Sequence, residues 1–295
     1  MNERLYNFLN PFAGFLAENR KLLFALRYYR NLHRRIHLTN PQLFHDKIFW
    51  LACQGDTSLW ADLADKYKVR EYVSQCYNSS ILNELYGIYD SPEEIDYNSL
   101  PNEFVLKTNN GCASNIIVRD KGSIDVPRIN KQINKWLSIH YGEITGQLHY
   151  SKITPKVLAE KLLIQDGDPQ KSLTDYKFNC FNGVPVECAV FTDRKENTHQ
   201  VSRMLYDMNW NAHPEYYDNN ISQLSLSEVK KPKSFDEMKE IAKTLSNGFP
   251  YVRIDLYEID SKPIFGEMTF IPGLDAFYSL QHQKDLGDLI VLPQL

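Results

Sequence analysis

"PYVRIDLYEIDSKPIFGEM", residues 250–268, is the stretch on which the reading of the whole chain turns. Val252, Ile254 and Leu256 alternate with Arg253, Asp255 and Tyr257, while Ile264, Gly266 and Met268 alternate with Phe265, Glu267 and Thr269. Period two on both arms predicts a hairpin of half-buried strands. A turn centred on Ser261 sets Asp255 directly opposite Glu267 in an antiparallel register. Like charges so placed cost stability unless a cation lies between them. Two hard carboxylates on paired strands suit Mg²⁺, which takes one or two carboxylates plus substrate phosphates. Arg253 shares the Asp255 face, so a plain salt bridge is the competing explanation of the same pair.

The 295 residues are long enough for one large core or two domains, and 43% hydrophobic with 24% charged is ordinary globular composition, which argues against disorder. A net charge of −4 gives no general pull on nucleic acid, and no nucleic-acid partner is expected. One run is basic: Arg20, Lys21, Arg27, Arg30, Arg34 and Arg35 stand with no acid among them, interleaved with Leu22, Leu23, Phe24, Leu26, Tyr28 and Tyr29. A basic amphipathic helix fits it, covering the protein's own core or lying on an anionic lipid surface or polymer. Five cysteines without CxxC spacing indicate neither a disulfide framework nor a zinc site, and point to a reducing compartment. No apolar run approaches a membrane span and no signal-peptide core is visible. The expected location is cytoplasmic, with peripheral attachment at the inner face of a membrane through residues 20–35 as a further option.

The first hundred residues read as mainly helical, with one helix in "NPQLFHDKIFWLA" capped at Thr39 or Asn40 and another in "SLWADLADKYKVREYVSQCY". "FVLKTNNGCASNIIVRDKG" predicts two short strands around a polar loop, Thr108 to Asn115. Lys107 ends the first of these, where an ammonium and backbone N–H groups can both face phosphate. A helix in "RINKQINKWLSIH", a strand in "KVLAEKLLI" and a hairpin turning at Asn182-Gly183 follow. "SFDEMKEIAKTLSNG" predicts a helix with Ser234 and Glu237 as a capping box and Gly248 beyond its end.

Neither GxxxxGK[ST] nor GxGxxG occurs. The order of parts is instead a "DK" opening a helix at Asp65-Lys66, a strand ending in Lys107 before a small-residue loop, "VLAEKLL", then "RID" and a glutamate on paired strands. That order resembles the ATP-grasp superfamily. "NPQLFHDKIFW", "ADKYKVREYV", "LPNEFVLKTNNG", "DYKFNCFNG", "VRIDLY" and "FGEMTFIPG" resemble its TupA-like branch over nearly the whole chain.

The resemblance implies an α+β ATP-grasp fold, two α+β subdomains gripping ATP, after a mainly helical N-terminal region. The expected division is 1–100 helical, 101–155 small subdomain and 156–295 large subdomain with the Mg-binding hairpin. It implies that Lys66 and Lys107 contact the ATP phosphates, that Glu160 meets the adenine amino group, and that the Lys161 and Leu162 backbone forms the adenine hinge. Asp175 would bind ribose. Asp255 and Glu267 would hold Mg²⁺, and Arg253 would steady the transferred phosphoryl group. Thr269 stands where the family often has Asn and would offer the metal at most a hydroxyl. Lys177, Arg194 and, more weakly, Arg203 are added cations for a uronate or phosphate.

The implied function is an ATP- and Mg²⁺-dependent carboxylate-amine ligase of bacterial capsule or teichuronopeptide-type polysaccharide synthesis, acting through an acylphosphate. Its partners would be a carboxylate-bearing sugar or polysaccharide and an amino acid or other amine. A sugar kinase on the same fold, a glycosyltransferase and a noncatalytic assembly scaffold are the alternatives.

Overall fold

A computed structural model describes residues 3–168, 170–194, 201–218, 225–274 and 278–293. The chain divides into two compact units. The first comprises Met1–Phe24, Ser58–Arg70 and Asn83–Leu162, and the second Ala25–Thr57, Glu71–Leu82 and Leu163–Leu295.

In the first unit, strands β1 (Leu85–Tyr89), β2 (Phe104–Thr108), β3 (Asn115–Val118) and β4 (Val157–Lys161) form an antiparallel sheet ordered β1-β4-β2-β3. The helix Val126–Leu137 places Ile129, Ile133 and Trp136 at i, i+4 and i+7, a single stripe that packs with Phe104, Leu106, Val118, Val157 and Ala159. Asp125 caps it by accepting the Arg128 N–H at 3.1 Å. The sequence reading opened a second subdomain at residue 156, yet β4 is hydrogen-bonded between β1 and β2. Val157, Leu158, Ala159 and Glu160 are all buried, as in a central strand covered on both faces. Such a run carries no period that says which sheet it joins.

In the second unit, strands β5 (Asp175–Phe181), β6 (Val184–Thr192), β7 (Ser202–Asp207), β8 (Ser225–Leu226), β9 (Tyr251–Ile259) and β10 (Lys262–Thr269) are ordered β10-β9-β5-β6-β7-β8. All neighbours are antiparallel except β7 and β8. Both hairpins turn on two residues of positive φ, Asn182-Gly183 (50° and 78°) and Asp260-Ser261 (51° and 64°), which matches the right-handed strand twist. The helix Phe235–Leu245 packs on β5, β6 and β9, with Met238, Ile241, Ala242 and Leu245 buried. Its N-cap is Ser234, but no capping box forms: the Ser234 N–H and hydroxyl both donate to Glu258 on β9, at 2.7 and 2.6 Å. A tertiary carboxylate has displaced the local one. The earlier helix runs Phe44–Gln54 with Leu43 as N-cap, beyond the expected Thr39 or Asn40.

The β9–β10 ladder is not regular. From the turn, Lys262 pairs with Ile259 and Phe265 with Leu256, then Gly266 is passed over and Glu267 pairs with Asp255. This bulge breaks the expected alternation on β10, so that Phe265 and Met268, three residues apart, are both buried.

Candidate functional site

Asp255 is the centre of the second unit's polar site. It is 1% exposed, on the sheet face that carries Arg253 and Tyr257. The Arg253 guanidinium grips it in a fork, Nε to Oδ1 at 2.6 Å and Nη2 to Oδ2 at 2.7 Å. Lys177, opposite it on β5, donates to Oδ2 as well. Arg253 Nη2 also reaches Glu267 Oε1 at 3.3 Å and Thr269 Oγ1 at 3.1 Å, and the Thr269 hydroxyl donates to Glu267 Oε1 at 3.3 Å. Asp175, at the start of β5, accepts from Lys177 (3.5 Å) and Arg194 (3.1 Å) and hydrogen-bonds the Tyr257 hydroxyl.

Burial by itself would push the Asp255 carboxyl up; the Arg253 and Lys177 charges outweigh that and hold it below the usual carboxylate range. Burial likewise works against the Lys177 ammonium, and Asp175 and Asp255 reverse it, leaving its pKa raised. Asp255 is therefore ionised, and Arg253 is the cation between it and Glu267. The salt-bridge explanation weighed from the sequence describes the contacts present.

Carboxylate oxygens are also the kind of ligand that a hard divalent ion takes. Glu267 keeps its side chain 38% exposed, meets Arg253 and Thr269 through Oε1, and each carboxylate oxygen has two lone pairs. Among the described residues no group of three or more His, Cys, Asp or Glu could hold a metal ion, so Mg²⁺ here would depend on oxygens from a bound substrate.

Beside these residues lies a hollow lined by Lys177, Asn179, Phe191, Arg203, Tyr217, Arg253 and Tyr278 among others, with no carboxylate in its lining among the described residues. Arg203 lies over the Phe191 ring, 5.2 Å from its centroid.

The first unit gathers a second set. Lys107 Nζ lies 2.8 Å from Glu160 Oε2, the two meeting diagonally across β2 and β4, where Lys107 pairs with Leu158 and Val105 with Glu160. Arg70 Nη1 is 3.8 Å from Glu160 Oε1, and Asn83 Nδ2 is 3.4 Å from Oε2. The Lys161 N–H donates to the Glu84 carbonyl at 3.0 Å, and its carbonyl accepts from Asn83 at 2.9 Å, so both backbone groups of this expected hinge residue have partners within the unit. Leu162 is half-buried, next along the chain. Lys66 Nζ donates to the Gly111 carbonyl at 2.6 Å, which places it on the loop after β2.

Side chains that the sequence reading did not single out fix that loop. Asn109 is fully buried: Nδ2 donates to Asp65 and to the Thr154 carbonyl, both at 3.0 Å, and Oδ1 accepts the Lys156 N–H at 2.6 Å. Asn110 donates to the Trp136 and Leu137 carbonyls. Arg70 and Asn83 also escaped notice, because only the fold brings them to Glu160. The "NN" before Gly111 was the available signal, since paired asparagines after a strand can hold a loop through their side chains.

The sequence model of the TupA-like ATP-grasp family matches residues 46–291. The chain belongs to the TupA-like ATP-grasp family. Its α+β architecture is accordingly an ATP-grasp fold, preceded by helices that begin before the matched residues. Among solved structures, the D-alanine–D-alanine ligase of Bacillus anthracis in complex with ATP is similar at 14% identity and TM-score 0.43, over 78% of this chain and 63% of that one. The ATP-grasp ligase PsnB with its minimal precursor is similar at 11% identity and TM-score 0.43, over 79% and 61%. The D-alanine–D-alanine ligase of Helicobacter pylori is similar at 13% identity and TM-score 0.41, over 86% and 68%. This chain thus spans less than two thirds of the length of the first two. No curated protein matches the chain. Among the described residues of this TupA-like protein, no helix is long and apolar enough to cross a membrane.

Proposed function

We propose that this TupA-like protein is an ATP- and Mg²⁺-dependent carboxylate-amine ligase, acting on a carboxylate-bearing sugar or polysaccharide in bacterial cell-surface polysaccharide synthesis. The observation that carries the reading is the Asp255–Glu267 pair held by Arg253 on paired strands of an ATP-grasp chain. Lys66, Lys107, Glu160 and the Lys161–Leu162 backbone would serve ATP in the first unit, and Asp175, Lys177, Arg194 and Arg253 in the second. Glu267 and Asp255, with Thr269 beside them, would hold Mg²⁺, which when bound supplies positive charge against the phosphate oxygens.

The side chains then have defined tasks. Lys107 and Lys66 would offset phosphate charge, and the Lys107 ammonium would exchange Glu160 for a phosphate oxygen. Arg253 would turn part of its fork from Asp255 toward the transferring phosphoryl group. The acceptor carboxylate would attack that phosphorus, ADP would leave, and an amine would then displace phosphate from the acyl carbon and lose a proton to form the amide. The hollow beside Lys177, Arg203 and Arg253 supports an anionic acceptor, because among the described residues its lining carries three cations and no carboxylate. It lends less to a neutral sugar hydroxyl, as a kinase would require.

Calorimetric titration of MgATP tests the nucleotide reading, with Lys107→Met and Asp255→Asn as variants. Binding by the wild type, weakened on the order of tenfold or more in each variant and no longer metal-dependent in Asp255→Asn, is the expected result. No binding at millimolar MgATP would overturn it. ADP release that requires both a uronate and an amine distinguishes the ligase from a kinase, which needs no amine.

A further inference from the structure

The N-terminal helices keep a large apolar surface in solvent. The sequence reading offered two places for the basic segment, the protein's own core or an anionic surface, and the helix Arg20–Leu32 has a face for each. Phe24 and Tyr28 are completely buried. Leu22, Leu26 and Tyr29, again at i, i+4 and i+7, are 56%, 60% and 59% exposed. With about 100° of rotation per residue, these three fall opposite Phe24 and Tyr28, and the exposed cations Lys21 and Arg30 flank them on either side.

Scattered exposed apolar residues need no explanation, but a stripe of three on one helix flanked by cations does. The charges indicate what meets them. From residue 20 to residue 35 there are six basic side chains and no acid, with Arg35 exposed as well. A second copy of the chain pairing through the same patch would set these like charges against one another. An anionic bilayer accepts both features, since Phe, Leu and Tyr enter the headgroup boundary and Lys and Arg meet lipid phosphates.

We propose that the helix Arg20–Leu32 seats the protein peripherally on an anionic membrane surface, with Leu22, Leu26 and Tyr29 inserted and Lys21 and Arg30 at the phosphates. Nothing in this depends on the nucleotide reading, because none of these side chains belongs to either polar site.

Flotation of the full chain with vesicles of phosphatidylcholine alone, or with about 30% phosphatidylglycerol, tests it. The expected outcome is flotation with the anionic vesicles only, reduced on the order of tenfold by about 0.5 M salt and by Lys21→Glu with Arg30→Glu. Leu22→Ser with Leu26→Ser should reduce it similarly with every charge retained. Thermal melts of these surface variants should match the wild type, and any that do not are replaced by the milder Leu22→Ala with Leu26→Ala. Failure to float with anionic vesicles would overturn the proposal, as would flotation indifferent to the apolar substitutions. So would a wild-type dimer in sedimentation that Leu22→Ser with Leu26→Ser converts to a monomer, which would assign the surface to self-association.

Discussion

Asp255 and Glu267 stand directly opposite one another across β9 and β10 because the ladder passes over Gly266, and Arg253 Nη2 lies 2.7 Å from one carboxylate and 3.3 Å from the other. A Cβ built on Gly266 would sit 3.0 Å from the Asp255 carbonyl oxygen and 3.1 Å from the Tyr257 ring. Gly266→Val should therefore open the bulge and lower stability by about 1–3 kcal/mol, together with weaker metal-dependent nucleotide binding. A denaturant melt and a titration of MgATP read the two effects; an unchanged melt would show that the strand absorbs the side chain.

Lys177 and Asp255 are coupled more tightly than either is to solvent, with side-chain exposures of 12% and 2%. Removing one partner leaves a buried charge less well compensated, so Lys177→Met and Asp255→Asn should each cost about 3 kcal/mol or more. The double variant should cost clearly less than the sum, giving a coupling on the order of 1–3 kcal/mol in a double-mutant cycle. Additive single effects would mean that Arg253 alone neutralises Asp255.

Asn109 closes the loop after β2 through three hydrogen bonds from one buried amide. Asn109→Ala should strand Asp65 Oδ2, the Thr154 carbonyl and the Lys156 N–H together, costing about 2–4 kcal/mol. Asn109→Asp keeps the acceptor but sets a carboxylate against Asp65, and should be at least as damaging at neutral pH. Thermal unfolding of the three proteins checks the order.

Asp46 gives the second unit a pH dependence. Burial raises its carboxyl to about 6, against the His37 N–H that donates to Oδ1 at 3.3 Å. The folded pKa lies above the unfolded one, so folding favours the protonated acid. That contribution is whole below about pH 4 and is lost as pH rises through about 6. Relative to Asp46→Asn, the wild type should lose on the order of 2 kcal/mol between pH 4 and pH 7. Parallel stability curves for the two proteins across that window would refute the assignment.

Much of the site was legible in the sequence because its signals are local. Period-two alternation names the strands, Asn182-Gly183 announces one turn, and the same alternation puts Asp255 and Glu267 on paired strands. The cation that joins them was legible too, since Arg253 stands two residues from Asp255 on the same strand face. By contrast, Lys177, Arg70 and Asn83 reach their carboxylates from distant segments, and no spacing reports such a meeting.

The sequence by itself determined the strands, the two-residue turns and the amphipathic helices, because each follows from side-chain period and backbone preference over a few residues. Only the tertiary structure decided that β4 completes the first sheet, that Glu258 takes the cap of Ser234, that the ladder bulges at Gly266 and that Leu22, Leu26 and Tyr29 stay in solvent. Those outcomes depend on which surfaces are already covered when a segment docks, a nonlocal property that a run of residues does not carry.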